Sequence, residues 1–222
     1  MLKKILLFII FCSCVPVFAS DYQGEKIIYD VLPVGRAEYN DLGLINLDGK
    51  KLNLSTFQTN VLGFYDLEKL YSDPDTLLPV KVERDILLWG MREYIIEEYD
   101  LEKYTVIFKN FKAKGKGTPK IEIRKSDGPI HNAILLPFYL RKLLNLEVGW
   151  TIDARFPDKF KIRLISIEEI SVPGGNFRAY HFTSVPNKFE IWISVDNPRL
   201  PIKIKGMGGF GYTLVMREHS IN

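Results

Sequence analysis

The chain is poor in the residues that usually announce chemistry. Among its 222 residues there are two cysteines and three histidines, and both cysteines, Cys12 and Cys14, stand near the very beginning. The remainder therefore offers no disulfide and no thiolate metal site, and its stability must come from burial and sheet hydrogen bonds. His131, His181 and His219 are scattered, and none has a second histidine within four residues, so no metal site is assigned. There is no Gly-x-Ser-x-Gly elbow and no hydroxyl in a setting that marks an activated nucleophile, so no catalytic residue and no cofactor are assigned. An apolar run of the roughly 20 residues that a spanning helix needs is also missing.

What stands at the N-terminus is a shorter run with a recognisable grammar. Lys3 and Lys4 precede an unbroken apolar stretch from Ile5 to Phe11, and Val17, Phe18 and Ala19 close the segment. Charge, apolar stretch and small-residue exit are the marks of a secretory signal peptide. We expect residues 1–19 to be that signal and residues 20–222 to form a single β-rich envelope domain located in the periplasm. Ser13 before Cys14 leaves a lipoprotein alternative, in which an acyl chain on Cys14 anchors the protein to a membrane. Phe11 fits poorly at the aliphatic position that precedes such a cysteine. Lys3 and Lys4 are two of 30 basic residues set against 27 acidic ones, so the rest is near neutral and nucleic acid is not an expected partner.

The dominant pattern is alternation with period two, interrupted by turn residues, which marks half-buried antiparallel strands. Phe189, Ile191, Ile193 and Val195 alternate with Glu190, Trp192, Ser194 and Asp196, and similar alternation runs through Val80–Val82, Ile121–Ile123 and Ile202–Ile204. Asp48-Gly49 suits the two positive φ angles of a tight hairpin. Pro157-Asp158, Gly174-Gly175 and Pro186-Asn187 mark further turns, and residues 112–120, rich in lysine and glycine, read as a solvated hairpin tip. From Asn132 to Asn145 the spacing changes. Leu136, Tyr139, Leu140, Leu143 and Leu144 recur every three or four residues, which predicts an amphipathic helix capped by Asn132, with Pro137 either bending it or marking its first turn. A shorter helical turn is expected at Asn60 to Tyr65. The fold expected is mainly β: a curved antiparallel sheet or open barrel of about ten strands, covered by one helix over about 132–145.

The carboxylate pairs Glu97-Glu98 and Glu168-Glu169 point to opposite faces of a strand, so they read as solvated side chains and not as acid-base machinery. The glycines at 206, 208, 209 and 211 lack the strand-to-helix context of a nucleotide loop and read as a sheet bend. Trp89, Trp150 and Trp192 join 11 tyrosines and 14 phenylalanines. Most of these belong to core and cross-strand pairing, but an aromatic-lined concave sheet under a helix is also where lipid-like ligands bind. On that view Leu136, Tyr139, Leu140, Leu143, Trp150 and Trp192 are the candidate ligand-binding residues.

From residue 24 onward the chain also resembles the bacterial envelope family catalogued as domain of unknown function 3108. The resemblance is carried by Gly24-Glu25 with Tyr29, Tyr71-Ser72 followed by Asp75-Thr76-Leu77-Leu78-Pro79, and Phe138-Tyr139-Leu140-Arg141 with Gly149. It continues through Gly175, Phe177, Ile191-Trp192-Ile193-Ser194, Asp196 and Leu200-Pro201. It implies an exported β-rich domain, with kinship to the lipoprotein carriers whose incomplete barrel shelters acyl chains, and it supplies no catalytic residue. The leading functional expectation is a non-catalytic periplasmic domain that binds a hydrophobic or lipidic ligand. The alternative is a module that holds another envelope protein in cell-envelope assembly, and a third reading is a hydrolase of envelope glycan or lipid.

Overall fold

In the computed structural model, residues 22–112, 117–207 and 211–221 are described. The expected signal segment, Cys14, and parts of the 112–120 tip and of the 206–211 glycine cluster lie outside them. The first run of strands is β1 (Glu25–Leu32), β2 (Arg36–Leu47), β3 (Lys50–Val61), β4 (Phe64–Ser72), β5 (Pro79–Leu88), β6 (Met91–Asp100), β7 (Thr105–Phe111) and β8 (Lys120–Lys125). A helix, α1 (Leu136–Leu140), leads to the second run. That run is β9 (Thr151–Arg155), β10 (Lys159–Val172), β11 (Gly175–Val185), β12 (Phe189–Ser194), β13 (Pro201–Gly206) and β14 (Thr213–Ile221).

All fourteen strands form one antiparallel sheet, ordered β8 to β1 and then β14 down to β9. Each run is a meander of hairpins, and the two are joined by β1 pairing with β14, from Glu25 opposite Ile221 to Leu32 opposite Thr213. The count exceeds the expected ten because tight hairpins leave little chain in loops and because β6 and β7 alternate too weakly to be counted from sequence. The Asp48-Gly49 hairpin forms as expected, with φ of 50° and 80°. Asn60 to Tyr65 does not make a helical turn: it is the β3–β4 hairpin, with Asn60 opposite Tyr65.

The sheet curls strongly. Tyr212, next to β14, shares a cavity with Glu68 of β4 and Arg84 of β5, although β1, β2 and β3 separate β14 from β4 in the sheet. The two outer edges, β8 and β9, are bridged by the chain that follows β8. There the Ser126 hydroxyl donates to the Pro157 carbonyl (2.9 Å) and the His131 amide to the Arg155 carbonyl (2.7 Å).

The helix is far shorter than expected. Asn132 caps the turn that leads into the helix, its Oδ1 accepting from the Ile134 and Leu135 amides at 2.8 and 3.2 Å, while the helix itself starts after Leu135 without a side-chain cap and has Pro137 in its first turn. After Leu140, however, the Lys142 and Leu143 amides bond three residues back, to Tyr139 and Leu140, so the turn tightens and the helix stops. Leu144, assigned to the apolar face, is 76% exposed. The five helical residues join two cores. Phe138 stacks on Tyr39 of β2 at 3.8 Å and belongs with Leu135 to the core of β1–β5 and β13–β14, whereas Leu136 and Leu140 pack with Ile162, Phe182 and Ile191 of the second run.

One buried ion pair fixes this arrangement. Arg141 binds Glu25 of β1 bidentately at 2.9 and 2.7 Å, His219 of β14 approaches the same carboxylate at 3.1 Å, and the Tyr22 ring lies under the guanidinium at 3.7 Å.

Candidate functional site

Two cavities lie within the curl, near the sheet end that carries the β9–β10 and β13–β14 connections. The first, about 310 Å³, is apolar. It is lined by Ala133 and Leu136 beside and on the helix, by Phe156, Phe160 and Phe189, and by Ile191, Ile204 and Tyr212. Phe156, Phe160 and Phe189 form a ring cluster, with centroids 5.7 to 6.0 Å apart, an edge-and-tilt arrangement typical of stable aromatic contacts. The second cavity, about 300 Å³, is polar, and Ala133, Phe156 and Tyr212 line both.

The polar chamber follows from alternation on β4, β5 and β6. Asp66, Glu68 and Leu70 share one face of β4, Arg84 stands directly opposite Glu68, and Glu97 of β6 sits beside Val82. Arg84 pairs with the Asp66 carboxylate and lies 3.6 Å from that of Glu68. The Tyr99 hydroxyl donates to Glu97. One guanidinium thus faces three carboxylates. Burial pushes the Glu68 carboxyl up to about 8, with Arg84 opposing the shift and Asp66 and Glu97 adding to it. Burial raises Glu97 as well, against the hydrogen bond from Tyr99 and the charge of Arg84. Burial of carboxyls around a single guanidinium thus favours the protonated form at Glu68. Among the described residues, no group of three or more His, Cys, Asp or Glu is arranged to hold a metal ion.

Of the six candidate residues, Leu136 lines the apolar chamber. The other five line neither. Leu140 is wholly buried in the second core, against which Leu143 and Trp150 pack, Trp150 edge-on to Phe182 at 6.2 Å. Tyr139 sits between the two cores. Trp192 stacks on His181 at 4.1 Å, and its indole N–H donates to Glu168 Oε1 at 2.7 Å. Trp192 and Leu136 are not brought together.

The carboxylates need one amendment. Glu97 and Glu98 do point to opposite faces, but only Glu98 is solvated, paired with Lys109 at 2.7 Å. Glu97 is buried in the polar chamber, because the curl covers a face that a flat sheet would leave wet. Sequence reasoning missed Glu68, Arg84, Tyr99 and the three phenylalanines. Their convergence depends on curvature, for which no short-range pattern in the chain gives a signal.

No family model matches this chain, and no curated protein matches it. Among solved structures it is similar to the crystal structure of a β-barrel-like protein of domain of unknown function 1849 from Brucella abortus, with a TM-score of 0.52 and 10% identity over 89% of this chain and 97% of that one. The shared feature is the fold: a barrel-like antiparallel sheet.

Proposed function

We propose that this protein is an exported, non-catalytic binding domain of the periplasm that shelters a hydrophobic or lipidic ligand in the two chambers. The reading is carried by their adjacency: a phenylalanine-lined space shares three wall residues with a polar one, a division that suits a molecule with an apolar body and a polar end. The resemblance to domain of unknown function 3108 belongs to the same proposal. A second reading, a module that holds another envelope protein, draws on β8. All six of its residues are exposed and, among the described residues, one of its edges has no strand beside it, a template for strand addition.

Titration of the full chain with the neutral apolar fluorophore N-phenyl-1-naphthylamine tests the first reading. Saturable one-to-one binding is expected. Ala133→Trp, which fills the wall common to both chambers, should weaken it by at least about tenfold, or ~1.4 kcal/mol, with the melting temperature unchanged. Equal binding by the variant and the parent sinks the assignment.

A further inference from the structure

Antiparallel meandering places alternate connections at the same end of the sheet. One end carries the tips between β1 and β2, β3 and β4, β5 and β6, and β7 and β8, along with those between β9 and β10, β11 and β12, and β13 and β14. On the first three tips the exposed residues are large and apolar: Leu32, Val34, Leu62, Leu88, Trp89 and Met91, with Leu62 77%, Trp89 70% and Met91 68% exposed. They form one ridge. A side chain at Gly35 would collide with Val61, and one at Gly63 would meet the Trp89 ring at 2.5 Å. The Trp89 amide donates to the Gly63 carbonyl at 2.8 Å.

The Trp89-Gly90 turn is the telling feature. Its φ angles of 48° and 84° match those of Asp48-Gly49 at the opposite end, 50° and 80°. Both are tight hairpin turns whose first central position favours Asn, Asp or Gly. Asp48 satisfies that preference. Trp89 does not: a bulky side chain is held in the strained left-handed region and is then presented to solvent. Folding gains little from this choice.

Charge differs along the same axis. The apolar end adds exposed Arg36, Lys112, Lys120 and Lys188, with Asp158 as the acid among its turn residues. Arg92 and Lys159 also lie there, paired with Asp85 and Asp153. The far end is close to balanced, with Asp48, Asp73, Asp75, Asp100, Glu102 and Asp196 against Lys50, Lys51, Lys103, Lys142 and Arg199. Tryptophan beside aliphatic residues, with cations on tips of the same sheet end, matches the headgroup region of an anionic bilayer, where an indole finds both apolar contact and water and nearby cations add attraction.

We propose that this end of the sheet is a membrane-docking surface that inserts the Leu62–Trp89–Met91 ridge into the interface of an anionic lipid bilayer. It goes beyond the ligand reading and stands without it, although the apolar chamber lies beside the same end, at Asp158, Gly206 and Tyr212. Membrane association then does not require an acyl chain on Cys14.

The test uses the full chain and phosphatidylcholine vesicles with and without phosphatidylglycerol, with part of the lipid brominated. Binding to the phosphatidylglycerol vesicles should weaken with added salt, and the brominated lipid should quench a component of the emission that Trp89→Phe removes. Leu62→Asp, at an exposed turn position, should cut partitioning at least about tenfold without lowering the melting temperature. The proposal is overturned if no Trp89-dependent quenching occurs, if both vesicle types bind equally, or if Leu62→Asp leaves binding intact, as when the N-terminal segment alone reaches the lipid. A dimer that forms without lipid and that Leu62→Asp dissociates also overturns it, giving the ridge to a second copy. Naphthylamine binding is read separately, so the two proposals fail independently.

Discussion

Glu68 shows what a single side chain contributes when a sheet closes over it. Its carboxyl is pushed up to about 8 from an ordinary 4.5, so between those values the folded protein holds a proton that the unfolded chain has released. The associated stability is complete below the ordinary carboxylate value and drains away as pH rises toward 8. Glu68→Gln keeps the shape and removes the titration. Its melting temperature should therefore decline less than that of the parent between about pH 5 and pH 8, the difference in slope being bounded by ~1.4 kcal/mol per pH unit. His131, held below its ordinary value by burial, acts in the opposite sense on the acid side and is common to both proteins. Parallel melting curves followed by circular dichroism would rule out the retained proton.

At the scale of elements, the five-residue helix owes little to helix propensity, since isolated helices of that length are unstable in water. It is held by the Asn132-capped turn before it, by apolar contacts to both cores and by the Arg141–Glu25 pair. Glu25→Gln leaves the Arg141 charge buried with only a neutral partner, at a cost of about 3–5 kcal/mol. Urea denaturation measures this directly, and a loss below ~1 kcal/mol would mean that the pin is ornamental. The same segment marks how far the chain can be read without coordinates. The Asn132 cap, the Pro137 first turn and the Asp48-Gly49 hairpin are local chemistry and were legible. The end of the helix was not. Its apolar period runs on through Leu143 and Leu144, while a partner 116 residues away fixes Arg141 and the backbone tightens beside it. The two chambers were legible only at Leu136, because β4, β5, β6 and the β9–β10 turn meet through curvature alone.

For the whole molecule, alternation revealed an antiparallel, curved, mainly β fold but undercounted the strands, since in strands such as β6 the runs Tyr94-Ile95-Ile96 and Glu97-Glu98 break the period of two. The edge strand β8 has a measurable signature. Amides of β8, with one free edge and no buried face, should exchange with deuterium at least about tenfold faster than those of β3, which is paired on both sides. Equal protection would place a partner or a tighter seam along β8. The pairing of β1 with β14 has a further consequence for assembly. The seam between the two meanders is made by the strands furthest apart in the chain, so whichever half emerges first must wait with an unpaired central edge until the last strand arrives. Such distant closure is slow, and an open edge invites sticking to neighbours. The newly made chain is most vulnerable just before its final strand docks, when a holding chaperone has most to protect.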